Sequence, residues 1–356
     1  MAAVRLQDVA AAAGVSQATA SRVLNGSSRI PGEGVADRVR AAARRLGYVP
    51  NAQAQALARS STGLIGLIVH DIADPYFSTI VRGIQKEARA AGKLVLLAST
   101  ERDFDVERQS VSTFVSHRAD AIILAGSRPI GDFDHHLEQE FAAYRENGGK
   151  VVVIGQSVSF GAAVEPDNYA ASGRLAETLY EQGHRRFAII GGPDNLRTPV
   201  DRRDGFVDAL HRRGVAPELE VVGEFSRDGG FDAARNLAAD LAVTPHERDR
   251  LCVFAVADVM AIGAIAAWRE LNLHVPEDLC IAGFDDIPTL RDHTPGLTTV
   301  ALPLAEMGRH AIRLALDDSP TPGSAHELAF GTVVLRDSST LTGEASRAPK
   351  RRSALI

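Results

Sequence analysis

Cysteine is nearly absent from this sequence: Cys252 and Cys280 are the two among 356 residues. Each lies in an apolar run, "LCVFAVA" and "DLCIAGF", which reads as a buried free thiol in a reducing compartment. Cys/His spacing of the metal-binding kind does not occur, so no metal site is expected. No stretch approaches the ~20 apolar residues of a membrane-spanning helix. The opening residues, "MAAVRLQDVAA", include an acid and lack a cleavable hydrophobic segment, so the expectation is a cytoplasmic protein with no membrane partner. Enzyme signatures are missing as well. No G-x-G-x-x-G opens the first β–α unit, "IVHDIADPYF", and there is neither a P-loop nor a G-x-S-x-G elbow. No histidine falls in a recognisable triad, and His135-His136 sit in a polar helical stretch that reads as surface. Neither enzymatic activity nor a cofactor is expected.

What is present suits a globular chain of two or three domains, 45% hydrophobic and 24% charged. The net charge of −6 argues against nucleic acid only as an average. Residues 1–60 hold eight arginines against Asp8, Glu33 and Asp37, a net +5, which leaves −11 for the rest. A basic head on an acidic body marks the head as the part that meets an anionic partner; a solvated charged surface is the alternative.

The patterns along the chain change once. "LQDVAAAAG" has helical apolar spacing at Leu6, Val9, Ala10 and Ala13, Gly14 supplies a turn, and Ser16 caps a second helix, "QATASRVLN". "VADRVRAAARRLG" is a third helix. Two helices joined by a tight turn and crossed by a third make a helix-turn-helix unit. "YVPNAQAQALARSSTG" is too short for a helix stable alone and reads as a linker that is helical only when supported. From Thr62 onward, strands such as "LIGLIVHDI", "DAIILAG", "KVVVIG", "RRFAIIGG", "LCVFAVAD" and "LCIAGFDD" alternate with amphipathic helices. Repeated β–α units imply parallel sheets with helices on both faces, and two such runs imply an α/β core of two Rossmann-like lobes. "LTTVAL" and its following helix lead the chain back towards the first lobe. The tail "EASRAPKRRSALI" is polar, basic and expected to be disordered.

The order of these parts resembles the lactose/galactose repressor (LacI/GalR) family of bacterial transcription regulators. The motifs that carry the resemblance are "DVAAAAGVSQATASRVLNG", "RLGYVPN" leading into "ALA", "DPYFSTIVRGI", "RLAETLYEQGHRRFAIIGGP", "VPEDLCIAGFDD" and "PGLTTVALPLAEMG". They run in the family order through about Ser339. The resemblance implies a helix-turn-helix head over 1–49, a hinge helix or linker over 50–61, and an effector-binding, dimerising core over 62–340 like periplasmic sugar-binding proteins. The expected lobes are about 62–160 with 292–325, and about 161–291 with 326–340; a disordered tail covers 341–356.

By the same resemblance, Gln17, Ala18 and Arg22 occupy base-reading positions of the recognition helix. Gln17 suits adenine and Arg22 guanine, while Ala18 touches a thymine methyl or reads nothing. Arg5, Ser16, Thr19, Ser21, Asn25 and Arg29 are expected at phosphates, with ordinary capping as the alternative for the hydroxyls. Leu57 matches the leucine the family wedges into the minor groove; the alternative is a linker leucine with no special role. Two departures stand out: Arg5 replaces the usual capping Ser or Thr, and Ala20 a usual valine.

Ligands of open α/β lobes sit beyond the carboxyl ends of the strands. That rule, with the resemblance, nominates Asp71, Tyr76, Phe77, Gln156, Thr198, Arg202, Phe225, Asp258 and Asp285 as effector-binding residues. Tyr76, Phe77 and Phe225 would stack on a flat ring or sugar face, and Arg202 and Asp258 would hold hydroxyls or ring heteroatoms. Core aromatics and an interlobe Arg202–Asp258 ion pair are the alternatives. Gly155-Gln156 stands where sugar binders of this fold often carry Asp-Arg, and Ala257 where Asn is common, so polar hooks have been lost. The expected function is a repressor that binds a palindromic operator as a homodimer, controlled by a sugar or nucleobase-like effector. Absence of a leucine-rich C-terminal zipper favours a dimer over a tetramer. The competing class is a sugar-binding transport protein without DNA function.

Overall fold

The computed structural model describes residues 4–25, 32–49, 61–131, 135–240, 250–317 and 325–341. Arg29, residues 50–60 of the expected hinge with Leu57 among them, and the tail beyond 341 lie outside the described residues, as does the side chain of Asn25. The chain divides into two compact units: residues 1–64 with 118–120, and 65–117 with 121–356.

The first unit contains α1 (Leu6–Ala13), α2 (Gln17–Asn25) and α3 (Glu33–Leu46). Their apolar stripes meet in one small core of Val9, Ala10, Ala13, Ala20, Val23, Ala36, Val39, Ala42 and Ala43. Alanines at the contacts let the helices approach closely. Ser16 starts α2 as expected: its Oγ accepts from the Thr19 amide at 3.1 Å. Arg5 does not leave α1 uncapped, because Asp8 reaches back and accepts from the Arg5 amide at 2.8 Å. At the end of this unit Asp120 accepts from the Thr62 amide at 2.8 Å, the Gly63 amide at 3.0 Å and the Ser61 hydroxyl at 2.7 Å, fixing the chain just after residue 60.

The second unit holds two six-stranded sheets. The first is built from β1 (Leu64–Val69), β2 (Leu94–Ser99), β3 (Ala121–Ala125), β4 (Lys150–Ile154), β5 (Ala162–Pro166) and β11 (His326–Ala329), in the order β11-β5-β4-β3-β1-β2. The second is built from β6 (Arg186–Gly191), β7 (Leu219–Val222), β8 (Leu251–Ala255), β9 (Cys280–Asp285), β10 (Thr298–Ala301) and β12 (Thr332–Val334), in the order β12-β10-β9-β8-β6-β7. The first sheet is flanked by α4 (Pro75–Ala90), α5 (Phe104–Ser116), α6 (His135–Glu146) and α11 (Leu304–Leu316), the second by α7 (Asn168–Glu181), α8 (Arg197–Arg212), α9 (Arg227–Asp240) and α10 (Asp258–Glu270). Pairing is parallel in the registers that run Ile65 with Ala121 and Arg186 with Leu251; β10 with β12 is antiparallel. Central strands are buried on both faces, which is why they read as continuous apolar runs. Cys252 and Cys280 are free, buried and face each other across β8 and β9.

The lobe boundaries differ from expectation in three strands. β5 and β11 belong to the first sheet, and β10 to the second. Which sheet a strand joins is set by the distant strands it pairs with, such as Ala163 with His326 and Thr298 with Ala282, so its own pattern cannot assign it. The helix after β10 does return to the first lobe, where α11 packs on α4.

Candidate nucleic-acid interface and ligand cleft

In the helical unit, Ala20 and Val23 turn one side of α2 into the core. Gln17, Ala18 and Arg22 lie exposed on the opposite side, with Ser21 between them half-buried. A helix that shows a glutamine and an arginine on one exposed face, beginning at its first turn, has the form of a major-groove reader. Arg5 and Ser16 are exposed, and Thr19 is half-buried with its hydroxyl 2.9 Å from that of Ser16.

In the α/β unit, each sheet reverses its strand order once, between β1 and β3 and between β6 and β8, and ligands of such sheets bind at the carboxyl ends beside these reversals. A narrow cleft of about 30 Å³ lies there, lined by His70, Asp74, Tyr76, Phe77, Arg102, Ser127, Thr198, Arg202, Phe225, Ala257 and Asp285 among others. Tyr76 and Phe77 meet edge to face with centroids 5.0 Å apart. Pro75 at the first turn of α4 and the Asp74 cap, which accepts from the Tyr76 amide at 2.8 Å, present both rings to the cleft. Arg202 is 1% exposed and spends three nitrogens on the protein: Nε donates to Asn168 Oδ1 at 2.9 Å, Nη1 to the Val256 carbonyl at 2.8 Å, and Nη2 to Asp285 Oδ1 at 2.8 Å. Its guanidinium also lies 3.9 Å from the Phe284 ring centroid. Burial pushes the Asp285 carboxyl up to about 8, against the pull of Arg202. Among the described residues no cluster of side chains could hold a metal ion.

The head and the core each match a family model. Residues 5–51 match the bacterial regulatory proteins of the lacI family, and residues 176–339 the periplasmic binding protein-like domain. Over 342 residues the chain is 34% identical to the HTH-type transcriptional repressor CytR of Escherichia coli strain K12, covering 94% of this chain and 95% of that protein. The chain belongs to the lacI family. It is also 32% identical over 310 residues to the ribose operon repressor of the same organism, covering 86% and 90%. Among solved structures, the Lac repressor dimer bound to operator and the anti-inducer ONPF aligns with a TM-score of 0.79 at 25% identity, covering 95% of this chain and 99% of that one.

Of the nine residues nominated in this lacI-family core, Tyr76, Phe77, Thr198, Arg202, Phe225 and Asp285 line the cleft. Three do not. Asp71 closes a turn, accepting from the Ala73 amide at 2.8 Å. Gln156 accepts from the Arg128 amide at 2.8 Å and donates to Thr198 Oγ1 at 3.0 Å, so both ends of its amide are used between the lobes. Asp258 is fully buried, accepting from the Thr299 hydroxyl at 2.6 Å and the Ile287 amide at 3.0 Å. Burial pushes its carboxyl up to about 7. No interlobe ion pair joins it to Arg202, whose carboxylate partner is Asp285.

Sequence reasoning missed His70 and Arg102. His70 follows the last residue of β1, one position before the first residue nominated. Its ring is 5.7 Å from that of Phe77, and burial, with Arg102 and Arg128 nearby, lowers its pKa to about 3, so it is neutral. Arg102 follows β2 and donates from Nη2 to the Phe225 carbonyl across the cleft at 2.7 Å. The charged "TERDFD" that holds it reads as an ordinary polar loop.

Proposed function

We propose that this lacI-family chain is a transcriptional repressor that reads a palindromic operator as a homodimer, with an affinity set by a small effector bound between the lobes of its core. The observation that carries this reading is the identity to the repressor CytR across head and core together. A transport binding protein has no use for the exposed Gln17–Ala18–Arg22 face, which disfavours that alternative. The name of the ribose operon repressor and the aromatic cleft support a sugar as the effector. The protein works in the cytoplasm with DNA; among the described residues no helix is long and apolar enough to cross a membrane.

A second copy is the partner that suits the first sheet. β2 is an edge strand, and Leu94, Leu96 and Leu97 are 59%, 37% and 40% exposed on it. An apolar edge strand invites pairing or aggregation unless another surface covers it. We assign this strand to the dimer interface.

Operator binding is tested by fluorescence anisotropy with a panel of palindromic duplexes. Wild type is expected to prefer one sequence, with the affinity falling as salt rises. Gln17→Ala and Arg22→Ala are each expected to cost about 1–3 kcal/mol on that duplex and little on random DNA. Equal binding of every duplex by wild type would sink the reading.

A further inference from the structure

We propose that His70 and Arg102 select the cleft's ligand, and that they favour an uncharged, hydroxylated ring over an anionic one. This inference rests on the reading of the cleft as an effector site.

Several positions around the cleft offer a ligand little polar capacity. Ala257 lines it without a polar atom in its side chain. Gly155 lines it too and cannot be given one: its φ is +146°, and a Cβ there would lie 2.6 Å from the Gly126 carbonyl oxygen. Arg202 and Asp285 are bound to each other and to the second lobe. Gln156 is spent between Arg128 and Thr198.

His70 and Arg102 have hydrogen-bonding capacity left. Arg102 Nε is buried and has no hydrogen-bond partner, although Nη2 is anchored on Phe225. A buried donor without an acceptor is destabilising, and a ligand oxygen that accepts from it removes that cost. The backbone that delivers this side chain is itself unusual, with Glu101 and Arg102 at φ of 51° and 65°. Two consecutive non-glycine residues in the left-handed region are costly and occur where the surroundings impose them, often at ligand sites. His70 is 3% exposed, and neither ring nitrogen is hydrogen-bonded within the described residues. Its ring lies where the Gly126 side chain would be: a Cβ at Gly126 would come within 2.5 Å of it. The absence of that side chain therefore lets an imidazole stand at the carboxyl end of β1, beside the strand-order reversal.

The charges decide the ligand class. Asp74, Asp71 and Glu224 surround Arg102 and already balance its charge. His70 is neutral and offers one donor and one acceptor. A hydroxyl fits both, being able to accept from Arg102 Nε and to exchange a hydrogen bond with the imidazole. Tyr76, Phe77 and Phe225 supply flat apolar faces for the ring that bears it. An added carboxylate or phosphate would find no unbalanced cation and would meet Asp74.

The test is calorimetric titration of the full-length protein with D-ribose, D-galactose, cellobiose and adenosine, and with glucuronate and ribose 5-phosphate as anionic counterparts. At least one neutral probe is expected to bind, more tightly than either anion. Arg102→Lys keeps the charge but loses the Nε donor, and His70→Phe keeps the ring but loses its nitrogens. Each is expected to weaken the bound probe about tenfold or more, with folding checked by thermal melting. Arg89→Ala, exposed at the end of α4, serves as the control. The proposal is overturned if both variants bind within about twofold of wild type, if an anion binds more tightly, or if no neutral probe binds at millimolar concentration. Operator titration without any probe is run separately. Its failure overturns the repressor reading and leaves the calorimetry standing; the reverse pattern removes only the ligand assignment.

Discussion

Asp258 accepts hydrogen bonds on both oxygens in a site closed to water, and its carboxyl is nevertheless pushed up from 3.8 to about 7. Desolvation outweighs the two donors. The folded state therefore holds a proton that the unfolded chain releases. Stability falls as pH rises from about 4 through about 7, by at most ~1.4 kcal/mol per pH unit from this group, and is flat above. Asn at this position mimics the protonated acid, since Thr299 can turn its hydroxyl to accept from the amide. Asp258→Asn is expected to gain on wild type between pH 5 and pH 8 when urea unfolding is compared at the two values; a variant that loses ground over that interval refutes the account. The same residue explains why the site was only partly legible. Position after a strand brought Tyr76, Phe77, Thr198, Arg202, Phe225 and Asp285 to the cleft wall. Asp71, Gln156 and Asp258 obey the same rule yet turn away, because a local turn, an interlobe brace and a buried cap claim their polar atoms. Side-chain direction depends on those partners, and most of them are distant in sequence.

At the scale of elements, the sequence of strands and helices in the core was legible from apolar runs and amphipathic spacing. The allotment of β5, β10 and β11 between two sheets was not, because the partner strand is set by long-range packing. The rim that joins the lobes was equally hidden. The segment after β3 and the segment before α8 pair as a short antiparallel bridge: the Ile130 amide donates to the Asn195 carbonyl at 2.8 Å and the Arg197 amide to the Arg128 carbonyl at 3.0 Å. The Thr198 amide adds a bond to Ser127 Oγ at 3.0 Å, and Gln156 braces both sides. Nothing in "SRPIG" or "DNLRT" marks these segments as partners. Gln156→Ala removes the brace and leaves polar groups at a buried position, at an expected cost of about 1–3 kcal/mol. Hydrogen exchange is the sensitive measurement: amides of Arg128 and Thr198 are expected to lose protection while strands β8 and β9 keep theirs. Unchanged exchange at Arg128 would show that the bridge holds without Gln156.

For the whole molecule, the question is how few base-reading residues specify an operator. One recognition helix with Gln17 and Arg22 reads too short a site, and two copies held at a fixed spacing read twice as much. Joining the copies also raises the effective concentration of the second head once the first is bound, by a factor that routinely reaches a hundredfold or more. The β2 edge is therefore a functional surface if it is where the copies meet, and its charge state can be used to separate them. Leu94 and Leu96 point to the same side of the strand, since they are two residues apart. Replacing both with Glu sets four carboxylates against one another across a two-fold contact and removes the apolar area that would hold it. The double variant is expected to sediment as a monomer with an unchanged circular dichroism spectrum. Its operator affinity is expected to fall about a hundredfold or more, with the loss concentrated on the intact palindrome and little change on a single half-site. A variant that remains a dimer in sedimentation would place the interface elsewhere on the core. A monomer that still binds the palindrome as tightly as wild type would mean that the heads act without coupling through the core.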